Sequence, residues 1–300
     1  MKRAAATTIK RALVLALDFD QTLTTTDTLH LVASTVRQKH PERPGFQWFT
    51  DKYMEDYNAF KTKWEPIIAR HAEEQTVTRA LLDQYLEAQR AVEESSLARI
   101  SQHAILAGTS RQEFADGGYS VQLQPDAAAA INHFLCTPDC HVCVVSVNWS
   151  EDFVRGALEA NGVQVCKGLL IYCNNPVFDS KTGLSTSVIH PQLVAASDKT
   201  DIIASVRNET ALQYKAEPTV VYIGDSLTDL PALLLADVGL LVGQSASVSR
   251  WCKLLGIEFG SPRPAEGNKV LHHLPRWSKA QYIIDQLASN SKLKTIVTPS

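Results

Sequence analysis

The stretch that most constrains this chain lies near its start, where an apolar run meets two acidic residues. Five consecutive apolar residues, Leu13 to Leu17, lead directly into Asp18 and Asp20. An apolar run of this length is typical of a parallel strand that is buried on both faces. In open α/β sheets, ligands bind at the edge where such strands end. Two carboxylates are costly there unless a cation or a chemical task retains them, so the sequence predicts a reactive site at this edge.

The composition excludes several classes of protein. The chain has 300 residues, of which 45% are hydrophobic and 20% are charged, and its net charge is −3. Such a weak negative charge predicts neither a nucleic-acid partner nor an acidic membrane surface. No apolar run of the sequence approaches the ~20 residues that a membrane-spanning helix needs. Six cysteines in a chain of this length do not form a disulfide scaffold, so reduced thiols in a cytoplasmic protein are predicted. The oligomeric state is not indicated.

Hydrophobic periodicity divides the chain into two kinds of segment. Strand patterns vanish between residues 27 and 116, and helical spacing dominates there. On either side of this block, strands and helices alternate at the lengths of βαβ units. The sequence therefore predicts an α/β fold in which residues 1–26 and 117–300 form a doubly wound parallel sheet and residues 27–116 form an inserted all-α cap. Hinges of the cap are predicted near Thr24–Asp27 and at Asp116–Gly118.

Individual elements are predicted from the same patterns. After the first strand, strands are expected at 141–147, 169–173, 219–223 and 239–242. Helices of the sheet domain are expected at 125–134, 150–161, 199–214, 228–236, 246–255 and 277–287. Residues 178–184 are expected to form a turn between two short extended pieces.

Polar side chains recur where four of these elements end or begin. They are Asp18 and Asp20 after the first strand, Ser146 and Asn148 after the second, Lys199 at the opening of a helix, and Asp225 and Asp229 in the segment Gly224-Asp225-Ser226-Leu227-Thr228-Asp229. Each of these four sets of residues is unspecific by itself, because such residues are common in turns, in helix caps and on solvated helix surfaces. Together, at consecutive crossovers of an α/β fold, they match the groups that phosphoryl transfer needs.

Each residue type suits one part of that reaction. Asp18 is predicted to be the nucleophile, and Asp20 to give a proton to the leaving alkoxide and later take one from water. Ser146 and Asn148 are predicted to bind the phosphoryl oxygens, and Lys199 to stabilise their charge. The predicted metal ligands are Asp18, Asp20, Asp225 and Asp229, whose hard oxygen atoms favour Mg²⁺ over zinc.

On these residues the chain resembles the haloacid dehalogenase (HAD) superfamily of phosphohydrolases. The matching motifs are Asp18-Phe19-Asp20-Gln21-Thr22, Ser146, Lys199, and Gly224-Asp225 with Asp229. The resemblance implies a Rossmann-like core and an aspartyl-phosphate formed on Asp18. It also implies that the carbonyl of Asp20 joins the carboxylates of Asp18 and Asp225 around Mg²⁺. An acid at Asp20 is typical of the phosphatases and phosphomutases of this superfamily, and the helical block resembles a type-one cap.

Within the superfamily, the chain is similar to the phosphatase domains of plant bifunctional thiamine enzymes. The matching pieces are Tyr53-Met54-Glu55-Asp56-Tyr57, Ser146-Val147-Asn148-Trp149, Asp198-Lys199, and Tyr222-Ile223-Gly224-Asp225-Ser226. This resemblance implies a small phosphomonoester substrate, with thiamine monophosphate as a candidate. The alternatives are a phosphomutase, which passes the phosphoryl group to a second hydroxyl, and a catalytically idle protein that keeps the fold for binding or regulation.

An aromatic stripe in the helical block has two interpretations. Tyr53, Tyr57, Phe60 and Trp64 share one face of a predicted helix. The stripe either packs the cap on itself or, through Tyr53, Tyr57 and Trp64, closes over the leaving group of the substrate. Aromatic rings beside the acidic residues Glu55, Asp56 and Glu65 would suit a cationic alcohol such as thiamine.

Overall fold

A seven-stranded parallel sheet forms the centre of the molecule, in the order β3-β2-β1-β6-β7-β9-β8. The computed structural model describes residues 12–37, 40–165, 168–260 and 270–291. Two further strands, β4 and β5, pair as a separate antiparallel hairpin. The strands are β1 Leu13–Leu17, β2 Cys140–Val145, β3 Leu169–Tyr172, β4 Asn175–Phe178, β5 Ser185–His190, β6 Thr219–Gly224, β7 Val238–Val242, β8 Glu258–Phe259 and β9 Val270–Leu274.

Helices cover both faces of the sheet, which confirms the predicted doubly wound α/β fold. On β1, Leu15 and Leu17 pack into one apolar core, and Val14 and Ala16 pack into a second core on the other face. The helices are α1 Leu29–Arg37, α2 Phe46–Glu73, α3 Arg79–Gln102, α4 Arg111–Gly118, α5 Ala127–Leu135, α6 Glu151–Ala160, α7 Ala196–Tyr214, α8 Leu230–Leu235, α9 Ala246–Leu255 and α10 Ala280–Ser291.

The register of the central strands places the predicted site at one edge of the sheet. Leu17, at the end of β1, lies opposite Val144 of β2 and Ile223 of β6. The backbone N–H of Asp18 donates to the carbonyl of Ile223 at 2.9 Å, so the pairing continues to the first aspartate. Because all three strands run in the same direction, the loops that follow them meet on the same side of the sheet.

Helices α2 and α3 form a long antiparallel pair, called the cap hairpin here and defined as residues 46–102. Helices α1 and α4 flank it in sequence but pack against each other, and α4 packs closely on α6 of the sheet domain. No helix among the described residues is long and apolar enough to cross a membrane. The division of the chain at residues 27 and 116 stays a prediction, and residues 1–11 and 292–300 of the predicted core lie outside the described part.

The glycines of the predicted hinge at Asp116–Gly118 lie in the last turn of helix α4, and their role as a hinge stays a prediction. A Cβ atom added to Gly118 would stand 2.3 Å from the carbonyl oxygen of Phe153, and one added to Gly156 would stand 2.0 Å from that of Ala115. Glycine is therefore needed at this crossing of α4 and α6 because the two backbones approach each other closely. The sequence pattern alone does not distinguish such a contact from a flexible joint.

The other predicted elements agree with the structure to within a few residues, with three additions and one shift. Helix α4 and strands β8 and β9 were not predicted. Strand β8 has only two residues, and the apolar pattern of β9 is interrupted by His272 and His273. Helix α7 begins at Ala196, three residues before the predicted start at Lys199. The predicted turn at 178–184 is found between β4 and β5.

Candidate active site

Lys199 occupies the centre of the group of predicted residues. Its Nζ atom donates to Oδ1 of Asp18 and to Oδ1 of Asp229, both at 2.7 Å, and its side chain is only 2% exposed. Burial alone would lower the pKa of Lys199, but the attraction of the two carboxylates outweighs it and raises the pKa above the usual value. The site therefore holds a permanent positive charge beside Asp18.

Asp229 is held by five hydrogen bonds. Its Oδ1 atom accepts from the hydroxyl of Tyr222 at 2.7 Å in addition to the lysine, and its Oδ2 atom accepts from the backbone of Asp225 and Ser226 and from the Ser226 hydroxyl at 3.2, 3.0 and 2.6 Å. Burial raises the pKa of this carboxyl, but the charge of Lys199 and these bonds lower it overall. Asp229 is thus a fixed anion that orients the lysine and the loop after β6.

The loop after β6 requires a glycine at its start. A Cβ atom added to Gly224 would stand 2.6 Å from the carboxyl carbon of Asp229, closer than any real Cβ contact. The absent side chain lets the Asp229 carboxylate fold back under the backbone of Asp225 and Ser226. The position of Gly224 in the motif is therefore explained by a close approach between side chain and backbone.

Three carboxylates form a candidate cation site. One oxygen atom each from Asp18, Asp225 and Asp229 lies within 4.8 Å of the others. Burial, together with the negative charge of Asp229, raises the pKa of Asp18 well above its usual value and that of Asp225 to about 6, although Lys199 opposes both shifts. Three carboxylates face one ammonium group here, so a divalent cation would offset the excess negative charge. Hard oxygen donors fit Mg²⁺, and no residue of the set conflicts with it.

The side chain of Asp20 points to a different group of partners. Its Oδ1 atom accepts from the backbone N–H and the hydroxyl of Thr28 at 2.7 and 2.5 Å, and its Oδ2 atom accepts from the amide of Asn148 at 3.3 Å. Burial and the nearby charge of Asp27 raise the pKa of Asp20 to about 6, although the bonds from Thr28 and Asn148 oppose the shift. A carboxyl with a pKa near neutrality suits proton transfer in both directions.

The loop after β2 places Ser146 beside this region. Ser146 is 1% exposed, and its Oγ atom accepts from the backbone N–H of Asn148 at 3.1 Å. Among the described residues, no acceptor takes the hydroxyl hydrogen of Ser146, which leaves it available for a ligand. The side chain of Asn148 contacts Asp20 and the Thr28 hydroxyl. Direct phosphate binding by Ser146 and Asn148 stays a prediction.

Asn174, which was not predicted, connects two of the site loops. It is 1% exposed, and its amide donates to the carbonyls of Val147 and Leu193 at 3.0 and 2.8 Å. Its Oδ1 atom accepts from the backbone of Gln192 and Leu193 at 2.7 and 2.9 Å. The loop that carries Ser146 is thereby tied to the segment that leads into α7.

Two further residues of the site were also missed by sequence reasoning. Thr28 holds Asp20, and Tyr222 donates to Asp229 from inside strand β6. A hydroxyl-bearing ring in an otherwise aliphatic strand was the available signal for Tyr222, because a buried hydroxyl needs a partner. No comparable signal marks Thr28, whose role depends on the path of the loop after β1.

The aromatic stripe of the cap hairpin is divided between packing and an open crevice. Tyr53 donates to the half-buried Glu93 at 2.7 Å, Phe60 is buried, and Trp64 packs edge-on against Tyr85 of α3. Tyr57 lies on a crevice of about 270 Å³ between the hairpin and the loop after β6. Its lining includes Tyr57, Lys61, Tyr85, Gln89, Ser226 and Arg250.

The acidic residues beside the stripe are paired with basic side chains. The three ion pairs are Glu55 with Lys52, Asp56 with Arg99, and Glu65 with Arg250, each at 2.7 Å. The charges of these carboxylates are therefore already balanced within the protein. They do not form the free acidic patch that a cationic leaving group would favour.

Comparison with known proteins identifies the family. The family model of haloacid dehalogenase-like hydrolases matches residues 15–234, a range that includes every predicted catalytic and metal-binding residue. The chain therefore belongs to the haloacid dehalogenase-like hydrolases, and the prediction of an enzyme of this family with a phosphatase fold is confirmed.

Individual relatives are more distant. The "CTO1 family protein C17G9.12c" of Schizosaccharomyces pombe is 27% identical over 281 residues, which cover 88% of this chain and 96% of that protein. The "Bifunctional TH2 protein, mitochondrial" of Arabidopsis thaliana is 27% identical over 164 residues, 54% of this chain and only 26% of that protein. A solved structure of cytosolic 5'-nucleotidase IIIB bound to cytidine is 12% identical, with a TM-score of 0.51 and coverage of 94% of this chain and 87% of that one, and it shows the shared fold.

Proposed function

We propose that the protein is a Mg²⁺-dependent phosphomonoester hydrolase that forms an aspartyl-phosphate on Asp18. The observation that carries the proposal is the buried arrangement around Lys199, whose ammonium lies 2.7 Å from both Asp18 and Asp229 while Asp225 completes the acidic set. Such an arrangement combines a carboxylate nucleophile with a fixed positive charge and a place for a hard cation. The arrangement lies at the carboxyl ends of β1 and β6, and open α/β sheets bind ligands at this edge.

The first half of the reaction transfers the phosphoryl group to Asp18. Lys199 holds Oδ1 of Asp18, and no described donor contacts Oδ2, so this oxygen is available to attack phosphorus. As the new O–P bond forms, the bond between phosphorus and the ester oxygen breaks, and Asp20 gives its proton to the departing alkoxide. Mg²⁺ held by Asp18 and Asp225 would neutralise charge on the phosphoryl group.

The second half releases phosphate. Asp20, now a carboxylate, takes a proton from a water molecule whose oxygen attacks phosphorus, and the bond to Asp18 breaks to return its carboxylate. Thr28 and Asn148 hold the Asp20 side chain in one orientation for both proton transfers. Ser146 supplies a neutral donor and Lys199 a charged donor for the phosphoryl oxygens.

The proposed substrate is a small phosphorylated metabolite, with thiamine monophosphate as the first compound to test. Its support is the similarity of about half of this chain to the Arabidopsis TH2 protein, together with the aromatic rings of Tyr57 and Tyr85 at the crevice. The paired state of Glu55, Asp56 and Glu65 gives no additional support for a cationic leaving group. The cytoplasmic location stays a prediction from the sequence.

The proposal is tested by a release assay. Purified protein with Mg²⁺ is given thiamine monophosphate, phosphocholine, phosphoserine and sugar phosphates, and free phosphate is measured. We expect Asp18→Asn to abolish release, because an amide neither attacks phosphorus nor holds a cation as well. EDTA should remove the activity, and added Mg²⁺ should restore it.

The matched control is Asp139→Asn, the same change of a carboxylate to an amide at the opposite edge of the sheet, where the backbone of Asp139 pairs with Leu13. This variant should keep the wild-type rate. Absence of release from every ester by a folded, Mg²⁺-binding protein would contradict the proposal. Transfer of phosphate to a second hydroxyl without release would instead favour the phosphomutase alternative.

A further inference from the structure

One basic side chain of the cap hairpin reaches the helix that carries Lys199. Arg90 of α3 donates from its two terminal nitrogens to both oxygens of Asp198, at 2.8 and 3.1 Å. About a quarter of each side chain is exposed. Two parallel bonds between a guanidinium and a carboxylate fix the relative orientation of the groups as well as their distance.

The same carboxylate caps the first turn of α7. Oδ2 of Asp198 accepts from the backbone N–H groups of Val194 and Ala195 at 2.7 and 2.9 Å. Burial raises the pKa of Asp198, but the bonds from Arg90 and from these two backbone groups outweigh it and lower the pKa overall. Asp198 therefore connects Arg90 to the turn that begins the helix.

Lys199 is the next residue of that turn. From there its side chain extends to Asp18 and Asp229 in the buried centre of the site. A rotation or displacement of the first turn of α7 would move the Cα atom of Lys199 and hence its side chain. The path from the cap hairpin to the phosphoryl site thus consists of Arg90, Asp198, the first turn of α7 and Lys199.

A second pair of side chains reinforces the same contact. Ser197 donates to Glu87 of α3 at 2.7 Å and accepts from Arg90 at 2.9 Å, and Arg90 also pairs with Glu87. Two residues of α3 thereby engage two consecutive residues of α7. Each bond in such a partly exposed group is weak by itself, but the geometry of the set is specific.

We propose that Arg90 is a positioning residue for Lys199. It acts through Asp198 to hold the first turn of α7, so that the cap hairpin contributes to the phosphoryl half of the site as well as to the side where the leaving group binds. This inference rests on the proposed phosphatase function, since Lys199 is assigned there to the phosphoryl group. A simple surface ion pair would instead contribute only weakly, and only to stability.

The two roles predict different kinetics. Lys199 faces the phosphoryl group, which is common to all substrates, so its misplacement should lower kcat by the same factor whichever alcohol leaves. Small displacements of a catalytic group cost up to about a hundredfold in rate, and we expect a loss of about tenfold to a hundredfold for Arg90→Ala. KM should change by less than about twofold, because Arg90 is not expected to contact the substrate.

The experiment compares Arg90→Ala and Arg90→Lys with Arg99→Ala. Arg99 lies on the same helix and pairs with Asp56 at 2.7 Å, but this ion pair stays within the cap hairpin. For each variant, kcat and KM are measured with two esters whose leaving groups differ in size. Hydrogen exchange of the backbone amides of Val194 and Ala195 is measured in the same proteins. We expect faster exchange and lower kcat for Arg90→Ala, an intermediate result for Arg90→Lys, and neither effect for Arg99→Ala.

Two results would overturn the inference. One is an unchanged kcat and unchanged amide exchange in Arg90→Ala, and the other is an effect confined to KM for one ester, which would make Arg90 a contact of the leaving group. The failure of the proposed function is a separate result, namely no hydrolysis of any ester by the wild-type protein. In that case the amide exchange of Val194 and Ala195 alone decides whether Arg90 holds the first turn of α7.

Discussion

The edge of the sheet and the cap hairpin differ in how their polar groups are used. At the edge, Asp18, Lys199 and Asp229 are buried and bonded to one another, and the surrounding loops are held by side chains such as Asn174. In the hairpin, the paired charged groups are partly exposed and form separate ion pairs, either with each other, as Glu55 does with Lys52, or with other helices, as Arg90 does with Asp198. Removal of a buried partner leaves an uncompensated charge, whereas a surface pair contributes little.

From this difference we expect the edge of the sheet to carry out the reaction and the cap hairpin to determine which substrates are preferred. The side chains at the sheet edge are proposed to contact the phosphoryl group, and substitutions there should be poorly tolerated because each contact depends on several others. The hairpin presents two aromatic and three polar side chains to the crevice, namely Tyr57, Tyr85, Lys61, Glu65 and Gln89. Variants at the edge should therefore affect all substrates, and variants on the crevice side of the hairpin should affect some substrates more than others.

The largest effect is expected from Lys199→Met. Methionine fills much of the same volume but leaves Asp18 and Asp229 without their shared cation in a fully buried place. Breaking a buried ion pair in this way costs about 3–5 kcal/mol of the free energy of unfolding. Urea unfolding in EDTA should show this loss, and hydrolysis of every ester should fall to background.

The control for this variant is Lys253→Met on helix α9, where the lysine is exposed. It should change the free energy of unfolding by less than about 0.5 kcal/mol. If Lys199→Met were as stable and active as Lys253→Met, the contrast between the buried edge and the exposed surfaces would be wrong.

A smaller and more selective effect is expected from Asp20→Asn. An amide cannot protonate the leaving alkoxide, so hydrolysis of an alkyl phosphate should fall by about 10²–10⁴-fold. An activated aryl ester needs no proton and should lose much less. The measurement is kcat/KM for both esters in the same preparation.

Thr28→Val provides the comparison for Asp20→Asn. It removes the hydroxyl that holds Asp20 at 2.5 Å but keeps the acid itself, so the same pattern should appear with a smaller loss. An equal loss with the alkyl and aryl esters in Asp20→Asn would contradict the role of this residue as proton donor.

The two regions also differ in how well the sequence predicts them. The edge of the sheet was predicted because Asp18, Ser146, Lys199 and Asp225 follow or precede strongly patterned elements, and parallel strands bring their ends together. Its supporting residues were not predicted, because Asn174 and Thr28 act through loop paths that no local pattern encodes. The strands and helices follow from periodicity, with the exceptions of α4, β8 and β9.

In the hairpin, the sequence predicts the helices but not the packing and ion-pair partners of their side chains. The helical spacing of Tyr53, Tyr57 and Trp64 gives a shared face, and only the packing of α2 against α3 shows which ring remains at a crevice. The acidic residues Asp56 and Glu65 are predicted to be available for a cationic ligand because their basic partners, Arg99 and Arg250, are distant in sequence. Long-range pairing of exposed charges is the property that a sequence reveals least.

The smallest effect is expected from Tyr57→Ala, which tests whether selectivity belongs to the hairpin. The variant removes a ring that lines the crevice and stacks beside Tyr53 and Phe60. We expect KM for the preferred substrate to rise by about tenfold, the order of one lost aromatic contact of about 1 kcal/mol or more. A small generic phosphoester, which does not fill the crevice, should keep its KM within about twofold.

Tyr53→Phe is the matched control, because it keeps the ring and removes only the hydroxyl that donates to Glu93 inside the hairpin. This change should leave KM unaltered for both esters. A loss in Tyr57→Ala that is equal for the preferred and the generic ester would mean that the ring supports the whole site. Substrate preference would then depend on residues outside this face of the hairpin. The proposal that the sheet edge carries out the reaction while the hairpin selects the substrate would be contradicted.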